Sequence, residues 1–258
     1  MSARPPLEGL GVVLTRPRAA AERQAELLAR AGARAFVFPS LAIEPEADSP
    51  ELEAALATLS AADLAIFVSA NAVEHGLAAA RRHGAWPAAT RTAAIGEATA
   101  AALRNSGFSA VISPRERHDS ESLLALEELK AVEGRNIVIF RGRGGRGLLK
   151  ETLESRGAHV TYAECYRRTR PAGDPAALLR AWDRGEIHAV NALSAETLEN
   201  FVAMIGPEGE AHLPSTALVV PHEAVAAHAL ARRFARVAVA PPGERGIVDA
   251  LESLRVSR

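Results

Sequence analysis

IFVSANAVEHG, residues 66–76, is the stretch that decides the fold of this chain. The apolar run 64–68 is typical of a buried parallel strand, and the segment after Ser69 has helical character. Asn71 and Glu74 have capping-box spacing, which predicts a helix start close behind the strand. Such a turn presents unpaired backbone N–H groups and the positive end of a helix dipole, so it predicts an anion-binding site.

The same turn recurs 125 positions further along the chain, where Ser194-Ala195 matches Ser69-Ala70. The offset also carries Arg16 onto Arg141, Arg18 onto Arg143, Leu28 onto Leu153, Gly32-Ala33 onto Gly157-Ala158, and Ala125-Leu126-Glu127 onto Ala250-Leu251-Glu252. An ungapped register over most of the chain indicates a duplication with a unit of roughly 120 residues. We therefore expect two similar domains.

Strand and helix patterns alternate along the whole chain. The predicted strands are 11–15, 35–38, 64–68, 91–95, 110–112, 136–140, 160–162, 187–192, 216–220 and 236–239. The predicted helices are 19–31, 51–59, 70–83, 96–107, 120–129, 147–156, 176–184, 194–205, one from 222, and 246–254. This alternation predicts an α/β fold of two flavodoxin-like, doubly wound domains with parallel sheets. Two connections, 39–50 and 164–175, are candidate domain boundaries.

Ligands of such sheets bind outside the carboxyl ends of the strands. The turns expected there contain Arg16, Ser69, Gly96, Arg141, Ser194 and Pro221. If the two faces oppose each other across a hinge, the binding site is a cleft between the domains.

Composition excludes several classes of function. A net charge of −1 argues against nonspecific binding to nucleic acid or membranes. Lys130 and Lys150 are the only lysines, so the cationic charge is nearly all arginine. Arginine suits bidentate recognition of carboxylates, although a compositional bias explains it equally well. A single cysteine, Cys165, rules out an intramolecular disulfide and a cysteine zinc site.

Neither a membrane nor a metal is expected. The first residues lack an apolar signal core, and no apolar run approaches 18 residues, so we expect a cytoplasmic protein. The histidines are scattered without the spacing of metal ligands, and we propose no metal.

Gly142–Gly147, GRGGRG, is a literal G-x-G-x-x-G between a strand and a helix, with Glu164 about 20 residues further on. On those terms it suggests dinucleotide binding. Its repeat counterpart, residues 17–22, has no glycine, and two arginines occupy the loop. An anion-binding turn for another substrate and a structural loop remain open beside the dinucleotide reading.

Other polar residues allow a ligand role beside a structural one. The arginines at equivalent strand ends either bind carboxylate or phosphate or form a solvated surface. Tyr162 and Tyr166 either pack or anchor a hinge, or supply a general acid. His222 either caps a helix, binds an anion or titrates. Ser69 and Ser194 lack a nearby base, so capping or anion contact is expected rather than nucleophilic chemistry.

Nine segments taken in order resemble the uroporphyrinogen-III synthase family, and the likeness extends along nearly the whole chain. They are Thr15-Arg16-Pro17, FPSLAIEP (38–45), IFVSANAVEHG (66–76), AAIGEATAAAL (93–103), the glycine-rich turn after Arg141, LESRGAHV (153–160), ECYRR (164–168), SAETLENF (194–201) and VVPHEAVAAHA (219–229).

The resemblance implies two α/β domains joined by a two-stranded connector that the chain crosses twice. One domain would comprise residues 1–38 and 168–258, the other residues 44–164, with connectors at about 39–43 and 165–167. The duplication alone suggests a simpler division near residue 130.

The resemblance also implies a cofactor-free hydro-lyase that cyclises hydroxymethylbilane, a linear tetrapyrrole, to uroporphyrinogen III. Water is lost and the last ring is inverted. Tyr166 matches the family tyrosine and would assist departure of the hydroxyl. The implied substrate-binding residues are Arg16, Ser69, Ala70, Gly96, Thr99, Arg141, Gly142, Ser194, Ala195 and His222. We expect a monomer, with hydroxymethylbilane synthase as a transient partner.

One segment departs from the family pattern. Many members have a glycine followed by Thr or Ser near the helix start where this chain has Pro221-His222-Glu223-Ala224. His222 and backbone amides would then replace a hydroxyl contact. Two rival readings are a noncatalytic ligand-binding or regulatory module of the same fold, and a dinucleotide enzyme using Gly142–Gly147.

Overall fold

The computed structural model describes residues 5–256 except 47–48, 116, 118, 230–231 and 244. The predicted connection 39–50 therefore includes two residues, 47 and 48, outside the described part. The chain divides into two compact units. Unit 1 is formed by residues 1–42 and 169–258, and unit 2 by residues 43–168.

Strands and helices alternate along the chain. The strands are β1 Gly11–Leu14, β2 Arg34–Val37, β3 Ala42–Pro45, β4 Leu64–Phe67, β5 Arg91–Ala94, β6 Val111–Ile112, β7 Asn136–Gly142, β8 His159–Thr169, β9 Ala189–Asn191, β10 Ala217–Val220 and β11 Arg236–Val239. The helices are α1 Arg18–Arg30, α2 Pro50–Ala57, α3 Ala70–His83, α4 Glu97–Asn105, α5 Ser120–Leu124, α6 Glu127–Lys130, α7 Leu148–Ser155, α8 Ala176–Asp183, α9 Ala195–Glu210, α10 Glu223–Ala229 and α11 Gly246–Val256.

Each unit contains one sheet. Unit 1 has the order β11-β10-β9-β1-β2, and its neighbouring strands are parallel. This is the flavodoxin-like order, in which the chain reverses direction across the sheet beside β1. The second sheet has the order β3-β8-β7-β4-β5-β6, with parallel pairing from β8 to β6. The predicted α/β class with parallel sheets is confirmed.

The duplication is visible in the pairing of the strands. Gly11 lies opposite Arg34 in the β1–β2 pair, and Asn136 lies opposite His159 in the β7–β8 pair, each partner displaced by 125 positions. The same displacement relates the β1–β9 pair to the β7–β4 pair. Each sheet combines strands of both repeats, because β1 and β2 join β9, β10 and β11, whereas β7 and β8 join β4, β5 and β6.

Both faces of the central strands are covered. In β4, Ala65 and Phe67 belong to one buried apolar cluster, and Leu64 and Ile66 belong to another. Successive strand residues point to opposite faces, so a continuous apolar run requires helices on both sides. This packing holds the strand ends, and the turns that follow them, in fixed positions.

Several sequence expectations are corrected. The first connection contains β3, and β8 continues to Thr169 through much of the second, because the two strands are neighbours in a sheet. The cap of α3 is Ser69, whose Oγ accepts the N–H of Ala72 at 3.0 Å, and not Asn71. The predicted helix 120–129 is two short helices, and α9 continues past a kink at Gly206 to Glu210.

Candidate active site

Four predicted site segments of unit 2 follow adjacent strands. Ser69 follows β4, Gly96 follows β5, Gly142 ends β7 and Tyr166 lies in β8. Backbone bonds join these ends: the N–H of Val68 donates to Phe140 O at 3.2 Å, and further bonds link β5 to β4 and β7 to β8. The turns therefore lie side by side along one edge of the sheet.

Ser69 and Tyr166 are in direct contact. The Oγ of Ser69 lies 3.1 Å from the phenol oxygen of Tyr166, across 97 positions of sequence. The same Oγ accepts the N–H of Ala72 and so caps α3. Tyr166 is 2% exposed, whereas Ser69 is half-buried and Ala70 is exposed. The hydrogen-bonded pair therefore connects the core of unit 2, where Tyr166 lies, with the start of α3, which Ser69 caps.

The Tyr166 ring is held by two neighbours. A Cβ placed on Gly142 would lie 2.5 Å from the ring, so only glycine leaves room for the phenol there. On another side, the His75 ring lies 5.8 Å from the tyrosine ring, centroid to centroid. His75 was not singled out by sequence reasoning, because its contact with Tyr166 depends on the packing of α3 against β8.

Arg141 is directed into its own loop. The side chain is buried, with Nε donating to Gly142 O and Nη1 donating to Arg146 O, both at 3.2 Å. Its guanidinium carbon lies 4.5 Å from the centroid of the Tyr162 ring. These contacts use two of the N–H donors of Arg141 to shape the glycine-rich turn.

The same loop lacks the open anion cradle that a dinucleotide needs. The carboxylate of Glu164 accepts the N–H of Gly144 at 3.1 Å. A Cβ on Gly145 would lie 2.5 Å from Nη2 of Arg141, so that side chain occupies the space beside the loop. The loop binds the protein's own groups at these positions.

Gly96 and Thr99 form the turn after β5. The carbonyl oxygen of Gly96 accepts the N–H groups of Thr99 and Ala100 at 3.1 and 2.9 Å. Gly96 and Thr99 are both buried, and Gly96 has extended backbone before α4.

Arg16 follows β1 in unit 1 and is half-buried. Nη1 donates to Gln24 Oε1 at 3.2 Å, while the buried Nε has no hydrogen-bond partner within the described residues. Burial, and to a smaller extent the charge of Arg23, lowers the pKa of the Arg16 guanidinium. A partly desolvated cation with an unused donor favours an anionic ligand.

A buried polar network surrounds the turn after β9. Ser194 Oγ accepts the N–H of Thr197 at 3.1 Å and lies 2.8 Å from the hydroxyl of Thr197. Ser40 donates to Thr197 O at 2.7 Å, and Thr15 donates to Asn191 O at 2.7 Å. Ser40, Thr15 and Asn191 were missed, although Asn191 replaces Ile66 of the repeat, which was a usable signal.

The last two predicted residues lie at helix starts. Ala195 is the first residue of α9 and is half-buried. His222 precedes α10, where its carbonyl oxygen accepts the N–H groups of Val225 and Ala226, and it is exposed. Because β10, β9 and β1 are neighbours, His222, Ser194 and Arg16 follow adjacent strands of unit 1.

The two repeats differ at the tyrosine. The offset of 125 places Leu41 at the position of Tyr166 and Ser40 at that of Cys165. Ser40 Oγ and Cys165 Sγ both approach the carbonyl of the equivalent helix residue, at 2.7 Å from Thr197 O and 3.7 Å from Ala72 O. A phenol beside the capping serine is thus a feature of unit 2.

A large groove of unit 2 lies elsewhere. It has a volume of about 1210 Å³ and runs along the short edge strand β6, and residues lining it include Arg91, Val111, Ile112 and Leu126. It contains none of the predicted site residues, so the chemistry is assigned to the strand ends instead. Among the described residues, no group of three or more His, Cys, Asp or Glu is placed to hold a metal ion.

The fold and the site define a class of two-domain α/β proteins, in which the turns at the carboxyl ends of parallel strands are of the kind that bind ligands. Solved structures that are similar to this chain in fold include two uroporphyrinogen III synthases. One, a mutant from Thermus thermophilus, has a TM-score of 0.60 and 19% identity, covering 96% of this chain and 100% of its own. Another, from Helicobacter pylori, has a TM-score of 0.57 and 14% identity, and the match covers 96% of this chain and 99% of its own.

Sequence relatives decide the family. The family model described as uroporphyrinogen-III synthase HemD matches residues 22–246. The uroporphyrinogen-III synthase of Salmonella typhimurium is 38% identical over 192 residues, 74% of this chain and 78% of its own length. The uroporphyrinogen-III synthase of Escherichia coli is 34% identical over 197 residues, which are 76% of this chain and 80% of its own length. The chain belongs to the uroporphyrinogen-III synthase family.

Membership makes the chain an enzyme, a lyase of tetrapyrrole biosynthesis. A small tetrapyrrole substrate fits this family, and neither the noncatalytic module nor the dinucleotide enzyme is favoured. No helix in the described part of the chain is long and apolar enough to cross a membrane.

Proposed function

We propose that this chain cyclises hydroxymethylbilane to uroporphyrinogen III by holding the substrate's carboxylates at its strand-end turns while the hydroxyl departs beside Tyr166. The observation that carries the proposal is the Ser69–Tyr166 hydroxyl pair at 3.1 Å, next to the start of α3. A phenol at that edge of unit 2 can donate a proton, and the helix start beside it favours a negative charge.

Backbone N–H groups supply most of the proposed binding. The substrate carries several carboxylates, and the chain has a net charge of −1, so attraction has to come from local groups. Ser69-Ala70 and Gly96 begin helices in unit 2, and Ser194-Ala195 does so in unit 1. Helix starts of this kind bind carboxylates without a charged side chain.

Arg16 is the proposed cationic contact of unit 1. Its guanidinium is half-buried, its pKa is lowered by burial, and the buried Nε is unused by the described residues. A substrate carboxylate here would restore the charged hydrogen bonds that burial removed. His222, exposed before α10, is the second proposed contact on that edge.

Arg141, Gly142 and Thr99 are assigned supporting parts. Arg141 holds the shape of the turn 142–146 through its two bonds to backbone oxygens. Gly142 leaves room for the Tyr166 ring, and the buried Thr99 supports the turn at Gly96. These residues place N–H groups and the phenol, and confinement then favours the inverted product over spontaneous closure.

A coupled assay tests the proposal. Hydroxymethylbilane is generated enzymatically, this protein is added, and the oxidised products are separated into type I and type III isomers. We expect mainly type III. Only type I from folded protein would contradict the proposed function.

An arginine pair tests the binding part of the proposal. Arg16→Gln should raise KM about tenfold or more with a smaller change in kcat, because a charged contact made in both ground and transition states is lost. Arg30→Gln is the matched control, since Arg30 lies exposed at the other end of α1. Equal KM values for the two variants would remove Arg16 from the binding set.

The remaining expectations stay predictions. The domain boundaries are proposed to lie in connectors at about 39–43 and 165–167, next to the limits of the two units at 42–43 and 168–169. A cytoplasmic monomer is expected, with hydroxymethylbilane synthase as a transient partner. Sedimentation of the purified protein, alone and with that synthase, measures both the oligomeric state and the association.

A further inference from the structure

We propose that Ser69 is the residue that protonates the departing hydroxyl, and that Tyr166 supplies the proton through Ser69. The inference rests on the proposed function and assigns the proton path within it. Three observations carry it: the burial of the phenol, the hydrogen-bond capacity of the serine, and the difference between the two repeats.

Burial separates the two hydroxyls. Tyr166 is 2% exposed and belongs to the apolar cluster that contains Phe67 and Phe140. Ser69 is half-buried and is followed by the exposed Ala70 at the start of α3. A substrate that reaches this edge of unit 2 meets the serine hydroxyl before the phenol.

The donors and acceptors around Ser69 indicate which hydroxyl donates in the Ser69–Tyr166 hydrogen bond. A serine hydroxyl has one proton to donate and two lone pairs that accept. One lone pair of Ser69 accepts the N–H of Ala72 at 3.0 Å. Within the described residues the phenol of Tyr166 has Ser69 as its hydrogen-bond partner, so the buried O–H donates to the second lone pair. The proton of Ser69 itself is then the one left to donate outward.

The step balances as a relay of two protons. The carbon–oxygen bond of the hydroxymethyl group breaks, and its electron pair goes to the departing oxygen. That oxygen takes the Ser69 proton and leaves as water, while Ser69 takes the Tyr166 proton. The resulting tyrosinate regains a proton, again through Ser69, when the cyclised product loses one to restore its pyrrole.

The equivalent turn of unit 1 has no such proton relay, which supports a relay in unit 2 alone. In unit 1 the capping Ser194 has the hydroxyl of Thr197 at 2.8 Å, and Leu41 stands where unit 2 has Tyr166. An aliphatic hydroxyl is a far weaker acid than a phenol, so that pair caps a helix without supplying a proton. The acid chemistry is thereby assigned to unit 2.

Five variants test the relay in the coupled assay, counting the Tyr166→Phe single variant with which the double variant is compared. Ser69→Ala removes the hydroxyl and the cap, Ser69→Asn keeps a capping oxygen but has no hydroxyl to relay, and Ser69→Thr keeps both. We expect the first two to lower kcat by about 100-fold, the loss typical of an absent general acid, and Ser69→Thr to retain most of the rate. Ser69→Ala combined with Tyr166→Phe should be no slower than the slower single variant.

Ser49→Ala is the control for loss of a helix cap, because Ser49 Oγ accepts the N–H of Leu52 at the start of α2 and has no described hydrogen bond to Tyr166. It should keep the wild-type kcat. A wild-type kcat in Ser69→Asn, a rise in KM alone, or additive losses in the double variant would overturn the relay. Failure of the wild-type protein to form type III isomer would instead refute the proposed function.

Discussion

Gly142 lies against the ring of Tyr166: a Cβ built on the glycine would be 2.5 Å from Cε2, 2.6 Å from Cζ and 3.0 Å from the phenol oxygen. The two residues are on the neighbouring strands β7 and β8, where Gly142 lies opposite Tyr166 after an irregularity in the register. The glycine in the first position of the G-x-G-x-x-G therefore makes room for a side chain of the protein itself.

Gly142→Ala should move the phenol away from Ser69. Contacts below 3.0 Å to a buried ring require a displacement, and overpacking of this kind costs about 1–3 kcal/mol in the free energy of unfolding. We expect lower stability in urea and a kcat reduced about tenfold or more in the coupled assay, since the proton path is stretched.

Gly144→Ala is the matched control for this prediction. Gly144 has a φ of +76°, so alanine strains the loop there, but its Cβ would meet nothing within 4 Å. It should lose stability with kcat retained. A normal kcat in Gly142→Ala would show that the tyrosine position does not limit the reaction.

Arg141→Lys should loosen the glycine-rich turn. A lysine cannot reproduce the planar fork that donates to the carbonyls of Gly142 and Arg146, so about 2 kcal/mol of stability should be lost. Limited proteolysis should then cut within 142–147 more rapidly. Arg143→Lys is the control, because Arg143 is exposed and lies 3.7 Å from Glu46. Equal cutting rates in the two variants would refute the assignment.

Cys165 makes stability depend on pH in alkaline solution. Burial raises the pKa of its thiol from 9.0 to about 12. The folded state therefore keeps the proton that the unfolded chain loses, and the free energy of unfolding falls as the pH rises from about 9 towards 12, by up to about 1.4 kcal/mol per pH unit.

Comparison with Cys165→Ala isolates this effect from other titrating groups. The stability difference between wild type and variant, measured by urea unfolding, should shrink between pH 8 and pH 10. A difference that is unchanged over this range would contradict the prediction. At pH 8 the native thiol should also resist thiol reagents until the protein unfolds.

Asn191→Val should stabilise the protein. Asn191 is 3% exposed, and its Oδ1 has no hydrogen-bond partner within the described residues. Its Nδ2 donates to Val219 O, an oxygen that also accepts the N–H of Ala192, so the carbonyl remains bonded in the variant. We expect a gain of about 1 kcal/mol in thermal unfolding. A variant less stable than the wild type would contradict this prediction, because it would show that the Asn191 side chain contributes net stability.

Local patterns predicted most elements and the strand-end turns at Arg16, Ser69, Gly96, Ser194 and Pro221, whereas Arg141 lies within β7. Apolar runs such as 64–68, and their alternation with helices, are patterns of residues close together in sequence. The offset of 125 then extended the prediction of a turn from Ser69 to Ser194. The misses have a common cause. β3 and the far part of β8 lie side by side, so their strand conformation comes from a partner distant in sequence. Asn71 had capping-box spacing, but the chain enters α3 two residues earlier.

The sequence by itself determined the α/β class, the repeat, the turns at the strand ends and the resemblance to the family, because each is expressed by residues close together or by a constant offset. Only the tertiary structure decided the order of the strands within each sheet, that Arg141 turns into its own loop, and that Ser69 meets Tyr166. The β4–β7 pairing joins residues 73 positions apart and the Ser69–Tyr166 contact spans 97, and local periodicity does not specify such partners.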